Sequence, residues 1–253
     1  MMALDQIPAP APLDVHFAPG KSDRLVVSLA SVGTRRHKTP QPEFAHMTAS
    51  IGQSNVLFIS DRSRSWMNGP GVADHITRLV NETAERVAAG DIIALGNSMG
   101  GTAAMVLAEM TQINRVIALA PQYSAHPDLV PEETRWWFFR RQIEAWPHPK
   151  VPDLQDRDTV VTILHGATQD EWRHARRFPE NAGYRHFIFP KRSHAVAREL
   201  HEDGLLRPIV QAIIEGRPNR AQAAIETAGG VPRADFSAAD ILLSPKEAGH
   251  DEI

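Results

Sequence analysis

The stretch GNSMGG, residues 96–101, crowds three glycines around one serine. The residues just before it, IIAL at 92–95, are apolar and few, which is typical of a short buried strand. The residues just after it, TAAMVLA at 102–108, predict a buried helix. Ser98 is therefore expected on a tight turn between a strand and a helix. Glycines stand two positions before and two positions after it, where larger side chains would collide with neighbouring backbone.

A serine on such a turn projects its hydroxyl from the carboxyl edge of a sheet, and the helix behind it offers free backbone N–H groups to a developing negative charge. A serine alone is a weak nucleophile and needs a histidine base, which in turn needs a carboxylate. Phosphate-binding motifs do not fit, because no lysine follows Gly101 and the glycine spacing differs from that of dinucleotide-binding loops. The pattern by itself is typical either of a nucleophilic Ser98 or of a tightly packed strand-to-helix turn without a catalytic role.

Composition limits the possible functions. The chain has 253 residues, of which 42% are hydrophobic and 23% charged, so one main α/β domain is the default expectation. It has no cysteine, which excludes disulfides, thiolate metal sites and cysteine nucleophiles. A net charge of -3 gives no global reason to expect nucleic acid or an anionic membrane as a partner.

The two ends differ from the middle in composition. Residues 1–22 carry several prolines and no basic start, so we expect an N-terminal extension that is neither a signal peptide nor an anchor. No later apolar run approaches the roughly 20 residues that span a bilayer, so a cytoplasmic protein is expected. Residues 216–253 are interpreted as a C-terminal tail. Its apolar segment FSAADILL, residues 236–243, is expected to pack on its own domain, with docking on a partner as the alternative.

Between these ends, residues 23–215 alternate between strand-like and helix-like segments. An amphipathic helix is predicted over residues 71–89. Strands are predicted at residues 25–29, 55–60, 92–95, 115–119, 159–164 and 184–189. Strands that are apolar on both faces and separated by helices predict a mostly parallel sheet with helices on both faces.

One segment, at about residues 121–158, interrupts this alternation. It contains six prolines and the cluster WWFF at residues 136–139, with no clear strand. We expect a short cap-like insertion that lies over the sheet. Four consecutive bulky residues on one helix cannot all face one cavity, so at most two of them are expected to line a pocket.

The pentapeptide GNSMG, residues 96–100, resembles the nucleophile elbow G-x-S-x-G of the α/β-hydrolase superfamily, with Gly101 as an additional glycine. The resemblance covers about residues 23–210. It implies the α/β-hydrolase fold and a catalytic triad in the chain order serine, acid, histidine.

The remaining members of the implied triad lie at later strand ends. His194 follows the strand at residues 184–189, and Asp170 follows the strand that ends at residue 164. Much of the family has its aspartate one position earlier, where this chain has Gln169. The predicted triad is therefore Ser98, Asp170 and His194, with Glu171 as the nearest substitute acid and Asp128 as a more distant one.

Two backbone amides are expected to form the oxyanion hole. The amide of Met99 follows the nucleophile directly. The second donor is expected from the loop after the strand at residues 25–29, at Val32 or Ser31, with Gly33 leaving room for close backbone approach. His165, His186 and His201 are expected to be structural or solvent-exposed. The histidines show no spacing that makes a metal site, and no metal or organic cofactor is expected.

Substrate recognition is less constrained. Three loops that open on the same sheet edge are basic, which predicts a positive rim for an anionic substrate. The basic residues are Arg35, Arg36, Lys38, Arg62, Arg64, Lys191 and Arg192. The alternative is solvated charge, some of it paired with Glu43 or Asp61. Arg35 and Arg36 are the members assigned to substrate binding.

The loop SDRSRSWMNGPG, residues 60–71, offers Trp66 as a stacking face and Asn68 as an amide for a sugar. The alternative is a loop pinned by a buried tryptophan. This loop also resembles hydrolase-like proteins associated with bacterial surface-polysaccharide handling.

Three function classes follow. The first is a serine hydrolase, an esterase or deacylase that acts through an acyl-enzyme on a small-molecule or glycan ester. The second is an acyltransferase that uses the same triad on a glycan or alcohol acceptor. The third is a non-catalytic binding or assembly protein with the same fold, which the displaced Asp170 keeps open. The fold alone does not decide among them, and the sequence leaves the oligomeric state open.

Overall fold

The computed structural model describes residues 4–243, and within them nine strands form one sheet in the order β1-β2-β4-β3-β5-β6-β7-β8-β9. The strands are β1 (Asp5–Ile7), β2 (Leu13–Ala18), β3 (Arg24–Leu29), β4 (Asn55–Asp61), β5 (Asp91–Asn97), β6 (Arg115–Leu119), β7 (Val160–Gly166), β8 (Tyr184–Phe189) and β9 (Val231–Pro232). The pairings from β4 through β8 are parallel, and those of β1, β2 and β9 are antiparallel. The mostly parallel sheet expected from the sequence is confirmed.

Helices cover both faces of the sheet. They are α1 (Ala45–Ser50), α2 (Val72–Arg86), α3 (Met99–Met110), α4 (Trp137–Arg140), α5 (Gln169–Ala175), α6 (Val196–Glu202), α7 (Leu206–Ile214) and α8 (Pro218–Thr227). In β3, Val27 joins the core cluster under α2 and α3, whereas Val26 joins the cluster under α6 and α7. Because successive side chains of a strand point to opposite faces, a strand between two helical layers must be apolar throughout.

The sheet extends beyond the boundaries expected from the sequence. The sequence predicts an extension at residues 1–22, yet β1 and β2 add two strands to the edge beside β4. In β2, Val15 and Phe17 are buried while Asp14 and His16 are partly exposed. This alternation is the pattern of a half-buried strand, but it spans only six residues and the prolines nearby conceal it.

The C-terminal region likewise belongs to the sheet and its surroundings. Helix α8 packs against α7, and β9 pairs with β8. The segment at residues 236–243 lies against its own domain: the Leu242 N–H donates to the Ala167 carbonyl at 2.8 Å, and the Gln169 N–H donates to the Leu242 carbonyl at 2.9 Å. The fold therefore continues past residue 216, up to the last described residue. The predicted tail residues 244–253 lie outside the described residues.

The insertion at residues 121–158 contains one short helix, α4, and otherwise irregular backbone. An aromatic cluster joins it to the carboxyl edge of the sheet, where Phe139 and Trp136 pack with Trp66 and Met99. Among residues 4–243, no helix is both long and apolar enough to cross a bilayer.

Candidate active site

Ser98 stands between the end of β5 and the start of α3, with backbone angles φ 54° and ψ −121°. A non-glycine residue in this region is strained by about 1–3 kcal/mol and persists only where its surroundings impose it. A Cβ atom on Gly96 would lie 2.1 Å from the carbonyl carbon of Gly100, and one on Gly100 would lie 2.0 Å from the Leu29 carbonyl oxygen. The two glycines let β5, α3 and the end of β3 approach closely enough to impose the turn.

The structure brings Ser98 and His194 together. The Ser98 Oγ lies 3.2 Å from His194 Nε2, and His194 Nδ1 lies 2.7 Å from the Glu171 Oε1 atom. The imidazole thus bridges a hydroxyl and a carboxylate in the order that nucleophilic catalysis requires.

The prediction of Asp170 as the acid that orients His194 is wrong. Asp170 and Glu171 are both in the first turn of α5, where consecutive side chains point about 100° apart. Asp170 forms an ion pair with Arg173 and lines the pocket. Glu171 points inward, is 1% exposed and reaches His194. The more distant substitute, Asp128, is exposed on the cap.

Glu171 belongs to a buried charge network that no sequence motif indicates. Arg135, from the cap, lies 3.4 Å from the Glu171 carboxylate and 2.6 Å from that of Glu133. Burial would raise the pKa of Glu171, but the charge and hydrogen bond of His194 and the charge of Arg135 outweigh it and lower the pKa to about 2. The carboxylate is therefore ionised throughout the neutral range.

The same network ties the cap to α5. His174 Nδ1 accepts a hydrogen bond from the Tyr123 N–H at 3.2 Å, so its proton is on Nε2, which donates to Glu133 at 2.8 Å. Burial lowers the pKa of His174 and keeps it neutral. Burial opposes the ionisation of Glu133, yet the His174 hydrogen bond and the Arg135 charge lower its pKa. The contact between His174 and Glu133 carries no spacing signal, because only the folding of the cap brings the two residues together.

Trp66 and Asn68 do not line the pocket at Ser98, contrary to the prediction that they contact a sugar there. Trp66 is 2% exposed, and its indole N–H donates to the Gln122 side-chain oxygen at 2.9 Å. Asn68 is also buried; its amide donates to the Trp66 carbonyl and accepts from the His148 N–H, both at 2.8 Å. Both side chains satisfy buried polar groups, so the alternative of a loop pinned by a buried tryptophan describes this segment.

Most of the basic residues predicted to form a positive rim do not line the pocket. Arg64 is 3% exposed and donates to three backbone carbonyls in the loop after β3, among them Val32 at 3.0 Å. Arg192 pairs with Asp203 at 2.7 Å. Arg35 is exposed and does not line the pocket. Of the seven basic residues named from the sequence, Arg36 alone lines it, with its guanidinium 4.4 Å from the ring centre of Phe138.

The predicted oxyanion donors lie on the two expected segments. Met99 is the first residue of α3, and Val32 is in the loop after β3 that lines the pocket. The loop is held from both sides, since Arg64 binds the Val32 carbonyl and the Ser31 hydroxyl donates to Glu43. These contacts fix the backbone next to Ser98.

The pocket at Ser98 has a volume of about 580 Å³ and an aromatic wall. All four residues of the WWFF cluster line it, contrary to the prediction of at most two. Trp136 has φ 55° and precedes α4, which is only four residues long, so the cluster does not follow one helical face. The Trp136 ring lies 5.3 Å from the His194 ring, whereas Trp137 is 53% exposed.

No model of a protein family and no curated protein matches the sequence. Solved structures do match it. The capsule O-acetyltransferase of Neisseria meningitidis serogroup A superposes with a TM-score of 0.60 at 11% identity, over 85% of this chain and 96% of its own. An esterase of Pyrococcus furiosus gives 0.57 at 12% identity, over 87% and 91% of the two chains. The chain has the α/β-hydrolase fold.

A lidless α/β serine hydrolase of Xanthomonas campestris also superposes, with a TM-score of 0.54 at 14% identity over 89% of this chain and 94% of its own. Superpositions at identities this low show a shared fold but do not identify the reaction. In this α/β-hydrolase fold, His165 and His186 are buried and contact one another at 2.8 Å, and His201 is exposed on α6. Within residues 4–243, no group of three or more acidic or histidine side chains is arranged to hold a metal ion.

Glu43 gives this hydrolase fold a testable pH dependence. Burial raises the pKa of Glu43 to about 7, despite the hydrogen bonds from Ser31. Because the pKa of Glu43 in the folded protein lies above its unfolded value of 4.5, the stability that Glu43 contributes is fully present below that pH. It is lost as the pH rises from there through about 7. We expect Glu43→Gln to reduce the loss of unfolding free energy between pH 5 and pH 8 by about 1–3 kcal/mol.

Urea unfolding of both proteins at pH 5 and pH 8 measures this difference. Glu85→Gln, on the exposed surface of α2, is the matched control and should follow the wild type. If the unfolding free energies of Glu43→Gln and the wild type changed equally between pH 5 and pH 8, Glu43 would not be the source of the pH dependence.

Proposed function

We propose that this protein is a serine ester hydrolase that acts through an acyl-enzyme on Ser98. The observation that carries the proposal is the unbroken hydrogen-bonded chain from Ser98 Oγ through His194 to Glu171, with distances of 3.2 and 2.7 Å, at the wall of a large pocket. A hydroxyl, an imidazole and a buried ionised carboxylate in this order form an activated nucleophile.

In the proposed reaction, Ser98 Oγ attacks the ester carbonyl carbon while His194 Nε2 takes the hydroxyl proton. Glu171 accepts a hydrogen bond from Nδ1, which holds the reactive tautomer and stabilises the imidazolium. The amides of Met99 and Val32 bind the developing oxyanion. His194 then protonates the departing alkoxide, and water activated by His194 releases the acid.

Esters are proposed over amides because an alkoxide is the better leaving group. The aromatic wall suits an apolar acyl group or the face of a sugar ring. A small-molecule or glycan ester is therefore the proposed substrate class. Arg36 supplies a positive charge at the wall, so the proposed site accommodates an anionic group of the substrate near Arg36.

The second candidate is an acyltransferase that passes the acyl group to an alcohol or sugar acceptor. Trp137 favours it, because this side chain lines the pocket and is 53% exposed. Arg141 lies 4.4 Å from the centre of the Trp137 ring. An exposed aromatic ring beside a pocket of about 580 Å³ leaves space for an acceptor in addition to the acyl group.

We also propose that the protein is located in the cytoplasm.

Covalent labelling tests the proposed nucleophile. A fluorophosphonate probe with mass mapping is expected to modify Ser98 in the wild type, and Ser98→Ala and His194→Ala are expected to remain unlabelled. Thr34→Val removes another hydroxyl that lines the pocket and should label like the wild type. A folded wild type that takes no label would overturn the proposal and favour a non-catalytic binding protein.

A product analysis with the wild-type protein distinguishes hydrolysis from acyl transfer. An acyl ester is supplied with increasing concentrations of an alcohol or a simple sugar, and the products are separated. Free acid alone supports the hydrolase, whereas a new ester in excess over the free acid supports the acyltransferase.

A further inference from the structure

The Ser98 hydroxyl has a second partner besides His194. Gln122 lies just past the end of β6, is 1% exposed, and places its side-chain Nε2 atom 2.9 Å from Ser98 Oγ. Its Oε1 atom lies 2.9 Å from Trp66 Nε1. No sequence motif marks Gln122, because an isolated glutamine has no characteristic spacing to the other site residues.

Trp66 fixes which end of the Gln122 amide faces the nucleophile. An indole nitrogen can only donate a hydrogen bond, so the atom that it contacts must be the amide oxygen. The amide NH₂ group then faces Ser98 and donates to Oγ. Because the hydroxyl carries a single proton and accepts from Gln122, that proton is directed to His194 Nε2, 3.2 Å away.

The backbone at Gln122 is also held in place. Its carbonyl accepts a hydrogen bond from the Thr102 hydroxyl at 2.8 Å, and the Thr102 N–H donates to the Ser98 carbonyl at 3.1 Å. The neighbouring Pro121 carbonyl lies 2.8 Å from His165 Nε2. The donor is therefore fixed relative to the nucleophile before any substrate binds, which is the condition under which a hydrogen bond contributes most to catalysis.

We propose that Gln122 is a further catalytic residue of the Ser98 site and that Trp66 is its positioning residue. The inference rests on the proposed acyl-enzyme chemistry. When Oγ bonds to the acyl carbon, its proton passes to His194. When the acyl-enzyme is hydrolysed, the bond between Oγ and carbon breaks and His194 returns the proton. Gln122 donates to Oγ as negative charge develops on that oxygen, both when Ser98 loses its proton in acylation and when the bond between Oγ and carbon breaks in hydrolysis.

Three substitutions separate this role from packing. Gln122→Glu keeps the shape but turns the donor into an acceptor, which draws the Ser98 proton away from His194. Gln122→Met keeps the approximate volume and removes the hydrogen bond. Trp66→Phe leaves the Gln122 amide free to rotate. Gln41→Glu, in an exposed loop that does not line the pocket, is the matched control for the charge change.

The labelling rate at Ser98 with the fluorophosphonate probe is the measurement, with melting temperatures recorded alongside. We expect the rate to fall about 10-fold in Gln122→Met, the value of one neutral hydrogen bond. It should fall about 100-fold in Gln122→Glu, comparable to the loss of an oxyanion donor. Trp66→Phe should lie between Gln122→Met and the wild type, and Gln41→Glu should match the wild type.

The pH profile of labelling gives a readout that a packing defect would not change. A carboxylate at position 122 stabilises a positive imidazolium nearby, so in Gln122→Glu the acidic limb should move to higher pH, whereas in Gln122→Met it should stay in place. Equal rates in Gln122→Glu and Gln122→Met, with unmoved limbs, would overturn the inference. An unlabelled wild type would instead reject the proposed function itself.

Discussion

Glu171→Gln is expected to lower kcat/KM for an activated ester about ten-thousand-fold, the effect of replacing the triad carboxylate by an amide in serine hydrolases. The glutamine can present its NH₂ group to His194 Nδ1, which favours the tautomer that has its proton on Nε2 and cannot accept from Ser98. The substitution also removes one of the two carboxylates that surround the buried Arg135 guanidinium.

Asp170→Asn is the matched control, because it makes the same chemical change one residue earlier on α5. Asp170 pairs with Arg173 at the partly exposed start of the helix and lines the pocket, whereas Glu171 contacts His194, so we expect a much smaller loss of kcat/KM in Asp170→Asn than in Glu171→Gln. Steady-state hydrolysis of an aryl ester measures both variants, and circular dichroism checks that they fold. A larger loss in Asp170→Asn than in Glu171→Gln would return the role of the acid to Asp170.

Gly100→Ala is expected to lower the free energy of unfolding by about 3 kcal/mol, at the upper end of overpacking effects. The added methyl would lie 2.0 Å from the Leu29 carbonyl oxygen and 3.0 Å from that of Ala30. Both contacts are with backbone, so relief requires α3 to move away from the end of β3. That movement would also separate Ser98 from the loop that carries Val32, and labelling of Ser98 should fall with stability.

Gly101→Ala provides the comparison within the same turn. Its added methyl would lie 3.1 Å from the Gly96 carbonyl oxygen and 3.2 Å from the Pro121 side chain, contacts that small shifts relieve. We expect a loss of about 1 kcal/mol or less in urea unfolding. Equal losses in the two variants would show that close approach at Gly100 is not what shapes the turn.

The strand-to-helix turn at Ser98 was predictable because local sequence suffices to specify it. Apolar segments on either side set β5 and α3, and small residues two positions before and after the serine are a steric requirement. His194 was predictable for a related reason. The loop that follows β8 and carries His194 must emerge at the same sheet edge as Ser98, since β5 and β8 run in the same direction.

The acid was mispredicted because strand order locates a loop but not the direction of each side chain in it. Helix α5 begins at Gln169, and its rotation turns Asp170 toward Arg173 and Glu171 toward His194. The start of a short helix cannot be placed to within one residue from the sequence. A single residue of uncertainty exchanges the two carboxylates.

The substrate-binding residues were mispredicted for a different reason. Arginine, tryptophan and asparagine bind sugars and anions, but the same side chains satisfy the polar backbone of buried loops. Arg64 holds the loop after β3, and Trp66 holds Gln122. Residue type does not distinguish a side chain that is available to bind a ligand from one that is already hydrogen-bonded inside the protein.

The sequence by itself determined the alternating α/β architecture, the Ser98 turn and the approach of His194, because each depends on periodicity, local sterics or the direction of parallel strands. Tertiary structure alone decided that Glu171 faces the histidine, that Arg135 from the cap pairs with Glu171, and that Gln122 donates to the nucleophile. Those contacts join residues far apart in the chain, and their geometry depends on helix rotation and cap packing, which no local pattern encodes.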